Sequence, residues 1–401
     1  MMGILTGITI LDFTQFLSGP TCTMMLSDMG AEVIKIERPN KELSAGPYLG
    51  GERTYDLSVM RGKKSVTIDM KNQRQKGIFL ELVKQADVIV ENFKPGTMAK
   101  MGISYEEIKE VNPSIVFTSI SGYGQYGPLS SRGALDLVIQ AGSGIMSVTG
   151  EPDRPPMKIG VSGSDLFTGL YAAIGTLAML YHRARTGQGQ HLDLAMMDAM
   201  MPCLGEQIIS YCATGQIPGR TGNTGSAEAP DDLFETRDGA LAVTARTEKQ
   251  WNALCHALNC RHLLEDPRFS DAKARLENAA ACSQALAEKM KQTDTAELKS
   301  LLQQCRVPCA EVRTIDQVAG DEQLAARGMI AEVEHPTAGK YRLPNSPLRF
   351  SRTPGRAQGA APILGADTRS VLRRAGCSEE EINEILAEQA PMRKMFVDYP
   401  L

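Results

Sequence analysis

Asp165 is the residue whose type and surroundings most clearly permit covalent chemistry. It follows a short stretch rich in glycine and serine, residues 160–164, and precedes a long apolar run, residues 166–181. This pattern predicts the start of a buried helix. Backbone N–H groups at a helix start carry partial positive charge, which keeps a carboxylate ionised. Two interpretations follow from these residues alone: an ordinary N-cap, for which aspartate is a preferred residue, or a nucleophilic carboxylate in a glycine-lined pocket.

A second glycine-rich motif, GYGQYG, lies at residues 122–127 and matches the GxGxxG pattern after a predicted strand. A dinucleotide-binding fingerprint requires a helix to open at once, whereas Pro128 and a loop-like stretch follow here. The sequence contains neither a Walker A motif nor a GxSxG motif. Dinucleotide binding, P-loop chemistry and a hydrolase triad are therefore disfavoured.

The nine cysteines are scattered and form no CxxC pair. Cys255, His256, Cys260 and His262 lie close together in sequence but lack the spacing of a zinc site, so no metal site is predicted. Free thiols, and an N-terminus without a basic region before its apolar residues, predict a cytoplasmic protein without a secretory signal.

The chain has 401 residues, a length typical of two domains. Its net charge of −4 argues against a nucleic-acid partner and leaves room for local basic patches that suit a small anion. The apolar run after Asp165 is interrupted by threonine and glycine and is shorter than the ~20 residues of a membrane span. We therefore expect a buried helix whose small residues allow close packing, and no membrane partner.

Alternating apolar strands and helices predict βαβ units and hence a parallel sheet. Arg38 stands at the carboxyl end of the second strand, where ligands of open α/β sheets collect. The predicted strands lie at 8–13, 31–37, 65–69, 87–91, 115–120 and 191–195, and the predicted helices of this region lie at 22–29, 75–85 and 198–214.

A smaller α+β domain is predicted after residue 228. It comprises a hairpin at 234–245, mainly helical residues 249–304 and a returning strand at 307–312. Residues 334–360 are polar and proline-rich, which indicates an extended excursion. Residues 378–390 form an acidic helix that begins with a capping-box pattern.

Several segments together resemble one family, the class III CoA-transferases, also called the CaiB/BaiF family. The resemblance runs from about Gly7 to Asp198 and resumes more weakly through the small domain to residues 364–368. The segments that carry it are TGITILDFTQFLSGP, MGAEVIKIERP, KKSVTIDMKN, DVIVENFKPGTMAKMG, SGYGQYGP, SDLFTGLYAAIGTLAML and RTGQGQHLDLAMMDAM.

The resemblance implies a Rossmann-like large domain with a parallel sheet, an inserted smaller α+β domain and an interlocked homodimer. The implied boundaries are 1–200 for the N-terminal segment of the large domain, 201–228 for a linker, 229–325 for the small domain, and 326–401 for a linker and the C-terminal return.

The implied activity is the transfer of CoA from an acyl-CoA to a free carboxylic acid. The family nucleophile falls on Asp165, which favours the second of the two interpretations above. Aspartyl anhydride and aspartyl-CoA thioester intermediates are expected, with oxyanions stabilised by backbone N–H groups around Leu166 and in residues 160–164. CoA is a substrate, and no tightly bound cofactor is expected. The implied CoA contacts are Arg38, Ile68, Asp69, Met70, Lys71, Asn92, Phe93, Lys94 and Lys100.

The sequence departs from the formyl-CoA transferases at Leu17 and Leu135, where those enzymes carry Gln and Tyr, and in lacking their glycine-rich loop. An acetyl-CoA or succinyl-CoA donor with a small carboxylate or dicarboxylate acceptor is therefore expected. Leu17, Leu135 and residues 222–230 are predicted to line the acceptor pocket.

Two alternatives stay open. One is an α-methylacyl-CoA racemase, although the His of racemases is lacking near Leu135. The other is a CoA-binding protein without activity, although Asp165 stands in its full motif. Asp136 either orients the site or caps a helix.

Overall fold

The structure is a computed structural model that describes residues 3–40, 46–225 and 227–397, with side chains described up to residue 390. The chain divides into two compact units. The first comprises Met1–Ser143, Ile159–Gly205 and Glu322–Leu401, and the second comprises Gly144–Lys158 and Glu206–Asp321.

The strands and helices follow one another along the chain and are labelled in that order. The strands are β1 (Thr9–Asp12), β2 (Glu32–Glu37), β3 (Tyr48–Leu49), β4 (Glu52–Arg53), β5 (Lys64–Thr67), β6 (Val88–Glu91), β7 (Val116–Ser121), β8 (Gln190–Ala195), β9 (Asp231–Glu235), β10 (Ala240–Thr244), β11 (Cys309–Glu311), β12 (Ile330–His335) and β13 (Gly339–Pro344).

The helices are α1 (Ser18–Asp28), α2 (Thr54–Val59), α3 (Gln73–Val83), α4 (Thr97–Lys100), α5 (Tyr105–Val111), α6 (Asp136–Ser143), α7 (Gly163–Thr186), α8 (Met196–Met200), α9 (Gly205–Thr214), α10 (Glu248–Ala257), α11 (Ala272–Glu277), α12 (Ala279–Met290), α13 (Thr295–Gln304), α14 (Ile315–Ala319), α15 (Glu322–Ala326), α16 (Thr368–Arg374) and α17 (Glu379–Val397).

A six-stranded parallel sheet forms the centre of the first unit, in the order β5-β2-β1-β6-β7-β8. Strands β1, β6 and β7 are buried along their whole length, which is typical of the central strands of a parallel sheet. The order reverses between β1 and β6. Doubly wound sheets bind ligands in the crevice that opens at such a reversal, outside the carboxyl ends of the strands.

Helix α7 begins at Gly163, with Ser162 as its N-cap, and ends at Thr186, where Gly187 adopts φ 74°. It has 24 residues and is therefore longer than the apolar run that predicted it. Among the described residues it is the one helix long and apolar enough to cross a membrane, yet half of its most apolar stretch is buried. A core helix of a globular unit meets the same criteria of length and composition.

Small residues allow α7 to pack closely, as predicted. A Cβ atom on Gly169 would lie 2.8 Å from the backbone oxygen of Ser18 and 2.8 Å from Cβ of Thr21, both in α1. A Cβ on Gly175 would lie 2.5 Å from a methyl group of Leu192 in β8. The two glycines thus set the distance of α7 from α1 and from the sheet, and with it the position of the first turn of α7.

A buried ion network fixes the connection from β1 to α1. Asp12 is fully buried, and its Oδ1 accepts hydrogen bonds from the backbone N–H and the hydroxyl of Thr14, at 2.7 and 2.6 Å. Its Oδ2 accepts from Thr23 at 2.7 Å and from Lys63 at 3.0 Å. Burial alone would raise the pKa of Asp12, but the ammonium groups of Lys35 and Lys63 and the two hydroxyls hold it well below its usual range.

The C-terminal residues return to the β5 edge of the sheet. The backbone N–H of Ser65 donates to Asp367 at 2.9 Å, and Gln389 of α17 bonds both the hydroxyl and the carbonyl of Thr67, at 2.6 and 2.9 Å. Ser378 and Glu381 form the predicted capping box at the start of α17.

The second unit contains the antiparallel sheet β11-β10-β9, with α10, α12 and α13 packed on it around Trp251. The predicted hairpin at 234–245 is confirmed as β9–β10. Arg275 is fully buried beneath Trp251, 5.1 Å from the ring centroid, and pairs with Glu248 at 2.6 Å.

Residues 144–158 cluster with the second unit, whereas the implied domain boundaries place them in the large domain. The structure corrects two predictions from sequence. The single helix predicted at 198–214 is broken at Met201–Leu204, where Pro202 interrupts it and a 3-10 turn separates α8 from α9. The extended excursion predicted at 334–360 instead contains the end of β12 and all of β13, an antiparallel pair that its polar sequence did not indicate.

Gly169→Ala should destabilise the first unit, because its methyl group would meet a backbone oxygen and a Cβ atom that cannot move independently. We expect a loss of about 1–3 kcal/mol in the free energy of unfolding, measured by urea denaturation. The matched control is Gly77→Ala in α3, where no atom lies within 4 Å of the added Cβ; it should stabilise by about 0.4–1 kcal/mol. Equal effects of the two substitutions would contradict the close packing of α1 and α7.

Candidate active site

Asp165 is the third residue of α7, and Ser162 occupies the N-cap position. The side chain is therefore not required to cap its own helix, and the N-cap interpretation is wrong. Ser18, the first residue of α1, lies near the Asp165 carboxylate and favours its charged form through its hydroxyl and its backbone N–H. Partial burial and then the charge of Asp136 raise the pKa of Asp165 to about 6, against the lowering effect of Ser18.

Asp136 stabilises the first turn of α7, which carries Asp165, through hydrogen bonds. Its Oδ1 accepts hydrogen bonds from the backbone N–H of Ser164 at 2.9 Å and from the Ser164 hydroxyl at 2.7 Å. Its Oδ2 accepts from the amide of Gln140 at 2.7 Å. Gln140 is fully buried, and its Oε1 accepts from the backbone N–H of Ile159 at 2.8 Å. The two side chains thus hold the segment that leads into α7.

The first-turn N–H groups of α7 are largely engaged, which weakens the expectation that they stabilise oxyanions. Gly163 N–H donates to the carbonyl of Val161 at 2.8 Å, and Leu166 N–H donates to the carbonyl of Ser162 at 3.1 Å. Ser164 N–H is taken by Asp136. The polar groups that favour the charged form of Asp165 belong instead to Ser18.

An apolar cluster lies on the α2 side of Asp165. Leu17 and Tyr55 pack against Leu57, Val59 and Met60. Burial, and secondly the charge of Asp165, raise the pKa of Tyr55 above its usual range, so its hydroxyl is neutral at neutral pH. Leu17 therefore belongs to the surroundings of Asp165, whereas Leu135 is 61% exposed at the start of α6. Residues 222–230 belong to the second unit.

The connections that follow β1 and β6 meet at the reversal of strand order. Oδ1 of Asn92 accepts from the backbone N–H of Gln15 at 2.7 Å, and its amide donates to the Gln15 carbonyl at 2.6 Å. The Asn92 amide also lies 3.4 Å from the Ser18 hydroxyl. Between them, Phe16 is 66% exposed and holds φ 57°, a left-handed conformation that is strained for a phenylalanine. The crevice thus begins beside Ser18, the residue that stabilises the charge of Asp165.

The residues predicted to contact CoA lie at the same edge of the sheet. Arg38 follows β2, the segment Ile68 to Lys71 follows β5, and the segment Asn92 to Lys94 follows β6. The cationic side chains Arg38, Lys71, Lys94 and Lys100 are exposed, whereas Ile68 is buried. Met70 and Phe93 pack against the core, and the Phe93 ring lies 6.4 Å from that of Phe13. Asp69 accepts from the Lys71 N–H at 2.9 Å and so shapes the turn.

A buried polar group at the ends of β6, β7 and β8 was not anticipated from the sequence. The Glu91 carboxylate accepts from Phe93 N–H at 2.8 Å, and Ser119 lies 2.9 Å from Nε2 of His191. Glu91, Ser119 and His191 line an open cavity of about 210 Å³ that Lys94 and Tyr105 also border. Burial raises the pKa of Glu91 to about 7, with the charge of Asp193 adding to the effect and Ser119 and Phe93 opposing it. Its sequence signal is slight: a glutamate at the last position of an apolar strand.

Sequence reasoning also missed Ser18, Tyr55, Gln140 and Ser164, because their roles depend on contacts between distant segments. In the region of the chain that the structure describes, no group of three or more His, Cys, Asp or Glu side chains is arranged to hold a metal ion.

Comparison with known proteins gives a consistent result. The sequence profile of CoA-transferase family III matches residues 5–368. A succinyl-CoA:mesaconate CoA-transferase from Haloarcula marismortui is 38% identical over 387 residues, 94% of this chain and 97% of that protein. An acetyl-CoA:oxalate CoA-transferase from Acetobacter aceti is 36% identical over 87% of this chain and 90% of its own. A crystal structure of a CaiB/BaiF family protein from Brucella suis matches with a TM-score of 0.84 at 34% identity, covering 94% of this chain and 100% of that one.

Glu91→Gln should stabilise the first unit at high pH. The folded state favours neutral Glu91, so this contribution is complete below the ordinary pKa of 4.5 and is lost as pH rises through about 7. The advantage of the always-neutral glutamine should therefore grow between about pH 5 and pH 8, to at most about 3 kcal/mol. Urea denaturation followed by circular dichroism measures it.

Ser119→Ala is the matched control for Glu91→Gln, because it removes a hydrogen bond that opposes the raised pKa of Glu91 and leaves the titrating carboxyl in place. This variant should still lose stability as pH rises, over a range that extends at least as high as that of the wild type. If Glu91→Gln increased the free energy of unfolding equally at about pH 5 and about pH 8, the Glu91 carboxyl would not be neutral in the folded protein.

Proposed function

The chain belongs to CoA-transferase family III, and from this premise we propose that it moves CoA from a small acyl-CoA to a small carboxylic acid with Asp165 as the nucleophile. The observation that carries the assignment is the position of Asp165. Its carboxylate stands in the first turn of α7, half-buried and beside the crevice where the order of the sheet reverses, and Ser18 favours its charged form.

The reaction proceeds in two symmetrical halves. Ionised Asp165 attacks the thioester carbonyl of the donor, the C–S bond breaks, and an aspartyl anhydride and CoA thiolate form. The thiolate then attacks the aspartyl carbonyl of the anhydride, which releases the donor acid and leaves an aspartyl-CoA thioester. The acceptor carboxylate attacks this thioester and releases the thiolate again. Thiolate attack on the acceptor carbonyl yields the new acyl-CoA and restores Asp165. Each covalent step replaces one difficult displacement by two easier ones.

The substrates are proposed from the relatives and from the surroundings of Asp165. The relatives use succinyl-CoA or acetyl-CoA, and their acceptors, mesaconate and oxalate, are dicarboxylates. We propose the same classes of donor and acceptor here. The apolar contacts of Leu17 and Tyr55 are suited to the chain of an acyl group, because they present hydrocarbon next to the carboxylate that is acylated.

CoA is proposed to bind along the carboxyl ends of β5, β2 and β6. Its phosphates require charge-assisted hydrogen bonds, and the exposed side chains of Arg38, Lys71, Lys94 and Lys100 provide donors at this edge. Ile68, Met70 and Phe93 offer an apolar floor, and Asp69 and Asn92 fix the two turns. CoA acts as substrate in this scheme, and the chemistry requires neither a metal ion nor a tightly bound cofactor.

We further propose the interlocked homodimer of the family, with residues 229–325 as the core of the inserted domain, and a cytoplasmic location. In the first unit, α7 exposes Leu170, Tyr171, Ile174 and Tyr181, and in the second, α9 exposes Ile208, Ile209 and Tyr211. Large apolar side chains grouped on one helix mark surfaces that a partner covers.

Asp165→Ala should abolish CoA transfer while leaving CoA binding intact, because the nucleophile is removed and the phosphate contacts remain. The test incubates the protein in D₂O with acetyl-CoA or succinyl-CoA, a panel of small mono- and dicarboxylic acids and a 2-methylacyl-CoA, and identifies every CoA species by mass spectrometry. A new acyl-CoA that forms with the wild type and not with the variant is expected. Without an acceptor, the wild type alone should gain the mass of CoA less water.

Two outcomes would contradict the assignment. Deuterium at the α-carbon of the 2-methylacyl-CoA, with no new acyl-CoA, would identify a racemase. Transfer at the wild-type rate by Asp165→Ala would exclude the covalent mechanism.

Lys94→Ala should raise KM for acyl-CoA without a comparable fall in kcat, because it removes a phosphate contact that the ground state and the transition state share. A charge-assisted hydrogen bond is worth about 1.5–3 kcal/mol, or roughly ten- to a hundredfold in KM. Lys84→Ala is the matched control, since Lys84 is an exposed lysine at the end of α3. Equal KM values for the two variants would remove Lys94 from the CoA site.

A further inference from the structure

Asp136 is the first residue of α6, but it also forms hydrogen bonds to a different helix, α7. Both of its carboxylate oxygens are occupied: Oδ1 by the N–H and hydroxyl of Ser164 at 2.9 and 2.7 Å, and Oδ2 by Gln140 at 2.7 Å. Gln140 in turn holds the N–H of Ile159 at 2.8 Å and lies 3.4 Å from the carbonyl of Val161. The network therefore joins α6, the segment before α7 and the residue immediately before Asp165.

The network also places a second carboxylate beside the first. Asp136 faces Asp165 from α6, and the two interact as like charges. Tyr55 faces Asp165 from α2 as a neutral phenol, with the guanidinium of Arg53 4.6 Å from its ring centroid and the Asp56 carboxylate in its surroundings. From α1 the contact is the uncharged Ser18. The repulsion raises the pKa of Asp165.

We propose that Asp136 is a positioning residue for Asp165: it fixes the first turn of α7 and places a negative charge there that favours the states in which Asp165 is acylated. The inference rests on the proposed function. It resolves the two roles that the sequence left open for Asp136, since the same carboxylate both caps a helix and orients the site, and the helix that it caps is α7.

The chemical consequence follows from where the charge moves. When Asp165 attacks the donor thioester, its negative charge passes to the leaving thiolate, and the repulsion from Asp136 is relieved. In the aspartyl-CoA thioester the side chain is neutral, and the charge has left with the donor acid. The like charge thus raises the energy of free Asp165 relative to both acyl-enzyme states. Each pKa unit that Asp136 adds to Asp165 shifts the equilibrium toward the thioester by about tenfold.

The test compares Asp136→Asn with wild type at constant ionic strength, using acetyl-CoA as a donor without a free carboxylate. Asp165 must be ionised to attack, so kcat/KM for the donor rises with pH through the pKa of Asp165 in the free enzyme. Removing the neighbouring charge lowers that pKa, so the rising limb should move to lower pH while the plateau falls. At a fixed ratio of donor to released acid, the fraction of enzyme carrying CoA should fall by about tenfold for each unit of that displacement.

Two further variants separate charge from geometry. Ser164→Ala removes one hydrogen bond to Asp136 and keeps both carboxylates, so its plateau should fall without displacement of the limb. Asp136→Ser is a second neutral variant for the case in which Asp136→Asn does not fold, and it should move the limb in the same direction.

The proposal would be overturned if an active Asp136→Asn or Asp136→Ser variant kept the rising limb of the kcat/KM profile at the wild-type pH. It would also be overturned if Ser164→Ala displaced that limb as far as the neutral variants do. A wild type without transferase activity would instead refute the proposed function.

Discussion

The architecture of the first unit depends on holding one carboxylate in a half-buried place without neutralising it. Burial disfavours the charged form of Asp165, and Asp136 adds repulsion, while Ser18 opposes both. Ser18 can do so only because Gly169 lets α7 approach α1 closely enough, with no room for a Cβ atom between them. The close packing at Gly169 therefore determines whether Ser18 can stabilise the charge of Asp165.

The parallel sheet explains why Asp165 and Ser18 lie beside a crevice that can bind a ligand. All six strands run parallel, and their order reverses between β1 and β6, where doubly wound sheets leave a crevice outside the carboxyl ends of the strands. Asn92 closes its base by pairing with both backbone groups of Gln15. The next residues of that connection are the strained Phe16, then Leu17 and Ser18. One short connection thus links the strand edge that offers cations to the helix start that holds Asp165.

The sequence predicted those features that depend on local pattern. Buried apolar strands, the long helix after residue 160, the β9–β10 hairpin and the capping box at Ser378 are each encoded by neighbouring residues. It failed where partners are distant. Gly163 and Ser164 have the composition of a loop, yet they are helical because Asp136 takes the N–H of Ser164. Strands β12 and β13 are polar and gain their structure from each other. The surroundings of Asp165 bring together α1, α2 and α6, which no local pattern could join.

Two aspartates near the crevice show why position alone does not make a nucleophile. Asp12 ends β1 and is the more buried, but two hydroxyls, a backbone N–H and two ammonium groups surround it, and its pKa lies far below the usual range. Its charge is so well stabilised that attack on a thioester would cost the whole of that network. Asp165 has the opposite balance, since its chief charged neighbour is another carboxylate and its hydrogen-bond donors come from a single serine. Acylation relieves Asp165 of an unfavourable interaction, whereas it would deprive Asp12 of several favourable ones. The same physics makes one aspartate a structural anchor and leaves the other able to react.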